Sequence, residues 1–306
     1  MLGRSVGTRL REGGSDSLFA PEVVGAVRAA DVVIVNLECC ISEGGAPAPH
    51  RVFHFRAPPV AAEALAQLGV DCVTLANNHA LDYGPDALAD TLEHLDAAGV
   101  RSVGAGAGEA EARAPVTLEA NGELIRVVAF SDHPAEYAAG SERPGIAFAD
   151  TSRRKLPAWL LEAAQGDGEQ PVLVCAHWGP NMSPQPVPEV RKSARALERA
   201  GATLIAGHSA HLFHGVAGRV LYDLGDFIDD YAPHPILRND LGLLWFVELK
   251  ANELVGVEAL PLKLDHCHTR LARTSERDWI ERQFLEACAD LDTSAEAQDS
   301  RLVIER

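Results

Sequence analysis

Residues 75–84 of this chain read Leu75-Ala76-Asn77-Asn78-His79-Ala80-Leu81-Asp82-Tyr83-Gly84. The segment before them, residues 69–75, starts with glycine and continues with β-branched and apolar residues, a pattern that predicts a short buried strand. Residues 85–98 then carry leucines at positions 88, 92 and 95, a spacing that suits one face of a helix. Two amides and an imidazole therefore lie where a strand passes into a helix, and in open α/β sheets ligands bind just beyond the carboxyl ends of strands.

Two interpretations of this loop are open when it is considered alone. Asn77 and Asn78 can be turn residues, and His79 can satisfy a local carbonyl group. Alternatively, the loop contributes side chains to a site because the flanking strand and helix hold it in place. The functional interpretation gains weight because the same pattern recurs at other strand ends of the chain.

Further predicted strands also stop at polar side chains. Residues 32–35 are four consecutive β-branched residues and predict a buried strand, at whose end Asn36 and Glu38 share one face because alternate strand residues do. The apolar runs 171–176 and 202–206 predict strands that end in the same way. One histidine at a strand end is usually structural, but recurrence at independent strands favours a shared site. The metal-capable side chains at these ends are Glu38, Asn78, His177, His208 and His211.

The donor types at these strand ends indicate metal chemistry. Oxygen and imidazole donors without thiolate suit first-row divalent ions such as manganese, iron or zinc. A bridging carboxylate, here Glu38, is needed to hold two ions about 3.5–4 Å apart, and such a pair can bind a phosphoryl or carbonyl oxygen. His79 follows the proposed ligand Asn78 and would lie near the leaving group as a general acid. Asp82 can fix the tautomer of His79 by accepting a ring N–H.

The composition excludes several classes of partner. The chain has 306 residues and a formal net charge of −17, which argues against nucleic acid or anionic lipid because both require basic surfaces. No run of about 18 apolar residues predicts a membrane span, and the N-terminus lacks the apolar region of a signal peptide. The six cysteines are scattered, so the reducing cytoplasm is the predicted location.

Four blocks of the sequence resemble the CapA family, the poly-γ-glutamate capsule biosynthesis proteins of the calcineurin-like metallophosphatase superfamily. The blocks are Asn36-Leu37-Glu38, residues 75–84, His177-Trp178-Gly179 and Gly207-His208-Ser209-Ala210-His211. The resemblance covers about residues 1–250. It implies an α/β fold, a four-layer αββα sandwich of the metallo-dependent phosphatase type, with a dinuclear metal centre at the strand ends.

The same resemblance implies roles for individual residues. Glu38 would bridge two divalent metal ions, His79 would donate a proton, and Asn36 would lie behind the ligands. The ligands of one ion would be Asn78, His177 and His208, and His211 would belong to the other.

Two departures from the family pattern concern this site. The family begins with Gly-Asp shortly before a Met-Leu-Gly-Arg stretch, and that aspartate is a ligand. This chain begins at Met1-Leu2-Gly3-Arg4, so we expect a start assigned too late rather than one crippled ion site. Asp226 stands where many relatives have asparagine; it could add a ligand or a base, but a strand-end cap is the preferred interpretation.

Weaker candidates lie around these blocks. Arg4 and Arg56 could bind an anionic substrate group bidentately, although solubility explains exposed loop arginines equally well. Asn181 follows His177-Trp178-Gly179-Pro180 and is a further candidate contact. The candidate substrate residues together are Arg4, Asn36, Arg56, Asn181 and Asp226. Asp132-His133, His214 and His266-Cys267-His268 are metal-capable but weaker, and the last is interpreted as incidental surface chemistry.

The chain pattern also predicts an organisation. Residues 1–262 form the metallophosphatase-like domain, and residues 263–306 form a helical extension packed on it. Residues 1–18 are polar and are expected to add little to the core, whereas residues 60–68 are expected to form a helix. Asn121-Gly122 is the strongest two-residue hairpin signal in the sequence.

Three functions remain open from the sequence. The first is a metal-dependent hydrolase, most simply of phosphoesters, acting on a small-molecule or polymer-derived anionic substrate. The second keeps the metals but cleaves an amide or γ-glutamyl bond. The third is a non-catalytic accessory or binding subunit whose partners are exopolymer synthase subunits.

Overall fold

The structure is a computed structural model that describes residues 1–305. Helices and strands are interspersed along the chain, which makes the fold mixed α/β. The helices are α1 (Arg4–Gly13), α2 (Pro21–Val27), α3 (Val60–Leu68), α4 (Gly84–Ala97), α5 (Glu109–Ala112), α6 (Ala158–Gln165), α7 (Pro188–Ala200) and α8 (Thr274–Ala289). The strands are β1 (Ile34–Asn36), β2 (Cys40–Ile41), β3 (Arg56–Ala57), β4 (Cys72–Thr74), β5 (Arg101–Val103), β6 (Ala105–Gly106), β7 (Val116–Ala120), β8 (Glu123–Ser131), β9 (Gly145–Ile146), β10 (Val172–His177), β11 (Leu204–His208), β12 (Val216–Ala217), β13 (Val220–Leu221), β14 (Leu241–Lys250), β15 (Glu253–Asp265), β16 (His268–Leu271), β17 (Ala295–Gln298) and β18 (Arg301–Ile304).

The loop at residues 75–84 is held as its sequence predicts. Helix α3 is capped by Gly69, whose φ of 99° is a left-handed conformation that glycine adopts without strain. Strand β4 follows and is fully buried. Helix α4 then buries Leu88 and Leu95, which confirms the helical spacing. The loop therefore joins two elements that are fixed by the core.

Two sheets present parallel strands to this loop. Strands β1, β4 and β5 form a parallel sheet in that order, while a larger sheet has the order β12-β13-β11-β10-β8-β7. Within the larger sheet β8, β10, β11 and β13 run parallel. Parallel strands end at one edge of a sheet, so their carboxyl-terminal residues come together there.

Apolar side chains join the two sheets. Cys72 and Val103 of the three-stranded sheet pack in one buried cluster with Val127, Ala129 and Cys175 of the larger sheet. Other clusters bury α1 and α3 with the smaller sheet, and α6 and α7 with β10 and β11 of the larger one. Burial of this continuous apolar surface is the main favourable contribution to folding.

The predicted hairpin is present between β7 and β8. Asn121 has a φ of 52° and Gly122 a φ of 80°. Positive φ at both central residues matches the twist of the flanking strands, which is why Asn-Gly is favoured there. The antiparallel register runs from the pair Ala120 and Glu123 to the pair Val116 and Val127, which confirms the prediction.

The N-terminal residues differ from the expectation that they add little to the core. They form α1, an amphipathic helix whose buried side includes Val6 and Leu10. Leu2 and Leu18, which flank the helix, are buried as well. Its arginines lie on the exposed side, so average polarity concealed an apolar stripe with a spacing of four residues.

The C-terminal part contains more than the predicted helix. Strand β15 runs from Glu253 to Asp265, so it crosses the predicted boundary at residue 262. Helix α8 lies within the predicted helical extension, and it is followed by a hairpin of β17 and β18. Strand β18 pairs with β15, which places this hairpin in the sheet formed by β14 and β15.

A groove of about 640 Å³ separates the edges of two sheets. Its walls include consecutive residues of β1 and of β14, and its far end reaches Glu38, His208 and His211. Successive strand side chains point to opposite faces, so a strand that lines a groove with consecutive residues presents its edge. Within residues 1–305, β1 pairs only with β4, and β14 pairs only with β15. Among residues 1–305, no helix has both the length and the apolar character that a membrane span requires.

Candidate metal centre

The paired strands β10 and β11 bring two of the predicted ligands into contact. His177 and His208 are register partners at the ends of these strands. Their Nδ1 atoms lie 2.8 Å apart, and both side chains are buried. A Cβ atom at Gly207 would overlap the carbonyl oxygen of Tyr222. Glycine before His208 therefore allows the backbone at Tyr222 to lie close to β11.

The loop at residues 75–84 places His79 beside Asp82. The Nδ1 atom of His79 lies 2.6 Å from Oδ2 of Asp82, and both side chains are buried. Asp82 also accepts a hydrogen bond of 2.7 Å from the backbone N–H of Phe55. The Phe55 ring packs on the His79 imidazole at a centroid distance of 4.1 Å. The carboxylate and the aromatic ring therefore fix the orientation of the imidazole.

Arg51 completes the surroundings of Asp82 and was not predicted from the sequence. Its Nε atom lies 3.4 Å from Oδ1 of Asp82, and its guanidinium donates to the carbonyl oxygen of Asn78. The same guanidinium lies 5.0 Å from the ring centroid of Tyr137, whose hydroxyl donates to Asp82. This pairing compensates a carboxylate that would otherwise be costly to bury.

Glu38 lies at the end of β1 and faces the imidazole of His79. Its Oε1 atom is 3.9 Å from Nε2 of His79. Its Oε2 atom accepts a 2.9 Å hydrogen bond from Asn36, whose own oxygen accepts one of 3.0 Å from Asn77. Asn36 therefore lies behind Glu38 and orients it. Asn77 also donates to the carbonyl oxygen of Leu37, so the loop after β1 and the loop at residues 75–84 are joined.

His211 is held by a carboxylate from the end of the β13 region. Its Nδ1 atom lies 3.0 Å from Oδ1 of Asp226. Burial lowers the pKa of His211, but Asp226, Glu38 and Asp223 outweigh it and raise the pKa to about 10. A histidine ligand commonly donates its other ring N–H to a carboxylate, and this pair has that arrangement.

The pKa values of His177 and His208 are lowered by burial and by neighbouring imidazoles. Burial lowers the pKa of His177, and the neighbouring imidazoles lower it further. Those neighbours are, in order of effect, His208, His133, His211 and His79. Burial, with smaller effects of His133 and His211, lowers the pKa of His208 to about 3. Both rings are therefore neutral near pH 7, which is the form that binds a metal ion.

Four of the predicted ligands each have a buried polar atom without a hydrogen-bond partner. Buried polar atoms are normally paired, so each such atom requires an explanation. These atoms are Oε1 of Glu38, Oδ1 of Asn78, Nε2 of His177 and Nε2 of His208. Across residues 1–305, no group of three or more His, Cys, Asp or Glu side chains is arranged to hold a metal ion. The donor chemistry fits a divalent ion, while the arrangement described has the two imidazoles directed at each other.

The other predicted residues lie in different surroundings. Arg4 pairs with Asp230 at 3.2 Å. Arg56 donates to the carbonyl oxygen of Gly44 and stacks on the Tyr83 ring at 4.1 Å. Asn181 is exposed.

Asp132 and His133 lie closer to the centre than the sequence suggested. They follow β8, whose last residue Ser131 is the register partner of His177. The His133 ring centroid lies 4.9 Å from that of His177. Their position after a strand was the sequence signal that could have identified them.

Comparison with known proteins agrees with the blocks quoted above. The profile of the bacterial capsule synthesis protein family PGA_cap matches residues 1–231. A probable polyglutamine synthesis accessory protein of Mycobacterium tuberculosis is 30% identical over 272 residues, covering 82% of this chain and 71% of the relative. The PGA biosynthesis protein CapA of Bacillus subtilis is 29% identical over 237 residues, covering 75% of this chain and 61% of its own length.

Solved structures align at low identity. A hypothetical protein from Thermus thermophilus aligns with a TM-score of 0.47 and 13% identity, covering 86% of this chain and 94% of the other. A 5′-nucleotidase precursor from the same organism aligns with a TM-score of 0.37 and 15% identity, covering 71% of this chain and 41% of the other.

Proposed function

Because the chain belongs to the bacterial capsule synthesis protein family PGA_cap, as its sequence blocks predict, we propose that it is a metal-dependent hydrolase of that family acting on phosphoesters. The observation that carries this proposal is the set of unpartnered buried donors on Glu38, Asn78, His177 and His208. Leaving one such atom unpaired costs about 1–3 kcal/mol, so four together favour a common ligand that is a divalent cation.

Each predicted ligand has a role in this proposal. Glu38 would be shared by two divalent ions, and Asn36 holds the Glu38 carboxylate in place. His211 would hold the second ion and is oriented by Asp226, which acts as its hydrogen-bond partner. Asn78, His177 and His208 would hold the first ion. When bound, the ions would supply electrostatic stabilisation of a phosphoryl oxygen and activate a water molecule as the nucleophile near neutral pH.

His79, oriented by Asp82, supplies the proton that the leaving group needs. Asp82 accepts a hydrogen bond from the Nδ1–H group of His79 and so orients the imidazole. The Nε2 atom is then the group that transfers a proton to the departing oxygen. Phe55 and Arg51 keep the pair aligned through the packing and the ion pair described above.

The remaining predicted contacts have more distant roles in the proposal. Arg4 and Arg56 were expected in loops, but Arg4 begins α1 and Arg56 begins β3. Each is already engaged, Arg4 by Asp230 and Arg56 by Tyr83. Asn181 is exposed on the loop after β10, where it can meet a substrate. We also propose that the two packed sheets and their outer helices form the four-layer αββα sandwich, since apolar clusters join the sheets to each other and to helices.

The phosphoester proposal is tested with purified protein loaded with Mn²⁺. We expect hydrolysis of para-nitrophenyl phosphate or its bis ester and of phenyl phosphate, whose poorer leaving group should lose most of its rate in His79→Ala. His266→Ala is the matched control because His266 is exposed on the turn between β15 and β16. Absence of turnover on every phosphoester, with bound metal demonstrated by elemental analysis, contradicts the proposal.

A second candidate is an accessory subunit of a polymer synthase. It is favoured by the name of the Mycobacterium tuberculosis relative, a probable polyglutamine synthesis accessory protein. Copurification with synthase subunits, together with absence of bound metal, would favour this role over hydrolysis. A hydrolase of γ-glutamyl amides is distinguished by turnover of such amides rather than of phosphoesters in the same substrate panel.

A further inference from the structure

Asp132 and His133 form a second carboxylate–imidazole pair at the same sheet edge. The Nδ1 atom of His133 lies 2.5 Å from Oδ1 of Asp132. Asp132 is held in turn, because its Oδ2 accepts hydrogen bonds from Thr151 at 2.7 Å and from the backbone N–H of Gly179 at 3.1 Å. The carboxylate thus has a fixed position, and it directs the imidazole through Nδ1.

The Nε2 side of the His133 ring, opposite Asp132, is available to a ligand. Its Nε2 atom has no hydrogen-bond partner within residues 1–305, and its side chain is 34% exposed. The ring lies against His177, a proposed ligand, with centroids 4.9 Å apart. By contrast, the His177 side chain is buried, so His133 borders the candidate centre from the solvent side.

We propose that His133, positioned by Asp132, binds the phosphoryl group of the substrate through a hydrogen bond between its Nε2 atom and a phosphoryl oxygen. This assignment rests on the phosphoester function proposed above. One proton is needed between the two atoms, and either partner can bring it. A phosphate monoester is partly protonated near neutral pH, because its second pKa is about 6.

The chemistry of the site favours this role over a purely structural one. A phosphoryl group needs several donors, and the arginines nearest the centre are engaged elsewhere: Arg51 with Asp82, and Arg4 with Asp230. A buried structural histidine satisfies both ring nitrogens, whereas His133 satisfies one and exposes the other. His133 is therefore a substrate-binding residue, and Asp132 is its positioning residue.

Two measurements test the assignment, both on metal-loaded protein. Inorganic phosphate binding is followed by calorimetry, and steady-state kinetics use para-nitrophenyl phosphate. We expect His133→Ala to weaken phosphate binding and raise KM about ten- to hundredfold, the effect of one hydrogen bond to a charged group. Metal content and thermal midpoint should equal those of the wild type. His133→Gln retains an N–H donor and should recover part of the loss.

The variants Asp132→Ala and His266→Ala test the positioning role of Asp132 and provide the matched control. Asp132→Ala should raise KM, but less than His133→Ala does, without loss of metal. His266→Ala should change neither quantity. Wild-type affinity for phosphate in His133→Ala overturns the assignment, whether or not phosphoesters are hydrolysed. Phosphate binding that depends on His133 in a protein without turnover supports the assignment and contradicts the hydrolase proposal. A metal-loaded wild type that neither binds phosphate nor hydrolyses phosphoesters overturns both.

Discussion

The Nδ1 atoms of His177 and His208 lie 2.8 Å apart across two parallel strands, while the Nε2 atom of each ring is buried without a partner. Two ring nitrogens at this separation can share only one proton. Each neutral ring therefore has a donor or acceptor that the protein itself does not satisfy. A cation can bind the free Nε2 lone pair of the ring that donates its Nδ1 proton, which removes part of that deficit.

Metal binding should therefore stabilise the fold. At a free Mn²⁺ concentration about 100 times the Kd, the added stability is about 2.7 kcal/mol. We expect the thermal midpoint of the wild type to rise by several degrees in scanning calorimetry. His208→Ala should lose most of this rise because a proposed ligand is removed. An equal rise in wild type and His208→Ala would show that the metal binds elsewhere.

Loss of the proton donor should affect turnover rather than metal binding. His79→Ala is expected to lower kcat about 10²- to 10⁴-fold, the usual contribution of general acid catalysis. Elemental analysis should show unchanged metal content, since His79 is not among the proposed ligands. A leaving group of low pKa needs no proton, so such an ester should lose less rate. Equal losses for good and poor leaving groups would contradict the acid role.

The buried imidazole of His208 should contribute a pH-dependent part of stability in the metal-free protein. Its pKa falls from the ordinary histidine value of 6.5 to about 3 in the fold, chiefly through burial. Below pH 6.5 the unfolded chain therefore binds a proton that the folded chain does not, so this contribution decreases on acidification. It is fully present above pH 6.5.

This pH effect is measured by urea unfolding of wild type and His208→Gln at a series of pH values. Other groups titrate oppositely, since the pKa of Asp223 is raised to about 7 by burial, so the informative quantity is the difference between the two proteins. The free energy of unfolding of the wild type relative to the variant should fall as the pH is lowered from about 6.5 to about 4. A difference that is constant with pH contradicts the prediction.

Substitution of Phe55 should lower both the free energy of unfolding and kcat. It is 2% exposed and stacks on His79. Phe55→Ala is expected to cost about 3–5 kcal/mol of unfolding free energy, as large-to-small core changes do. Phe55→Leu retains more volume and should cost less, yet it should still lower kcat because the imidazole loses its aromatic support. Wild-type kcat in Phe55→Leu would show that packing on His79 is not needed.

Sequence patterns predicted the parts of the fold that local chemistry controls. Asn121-Gly122 specified a hairpin because both residues accept positive φ, and residues 60–68 formed a helix with the predicted ends. The strand ends were identified because apolar runs stop at polar residues there. The helix α1 was missed because the apolar residues Val6 and Leu10 stand among arginines and glycines.

The sequence singled out residues that the fold brings near each other at the candidate site, but it did not identify the side chains that support them. Glu38 and His79 were chosen from strand ends, and the fold brings them within 3.9 Å of each other. Arg51 was not identified because its contact with Asp82 depends on how a long loop packs, which no periodicity indicates. Asp132-His133 was a weaker candidate in the sequence, and the register of β8 with β10 places His133 beside His177.

The groove between β1 and β14 has a consequence for handling this polypeptide. Both strands leave a row of backbone N–H and C=O groups without a strand partner along an apolar channel, within residues 1–305. Unprotected edges of this kind recruit strands from other molecules, which leads to aggregation. Light scattering of the concentrated protein should therefore increase with time.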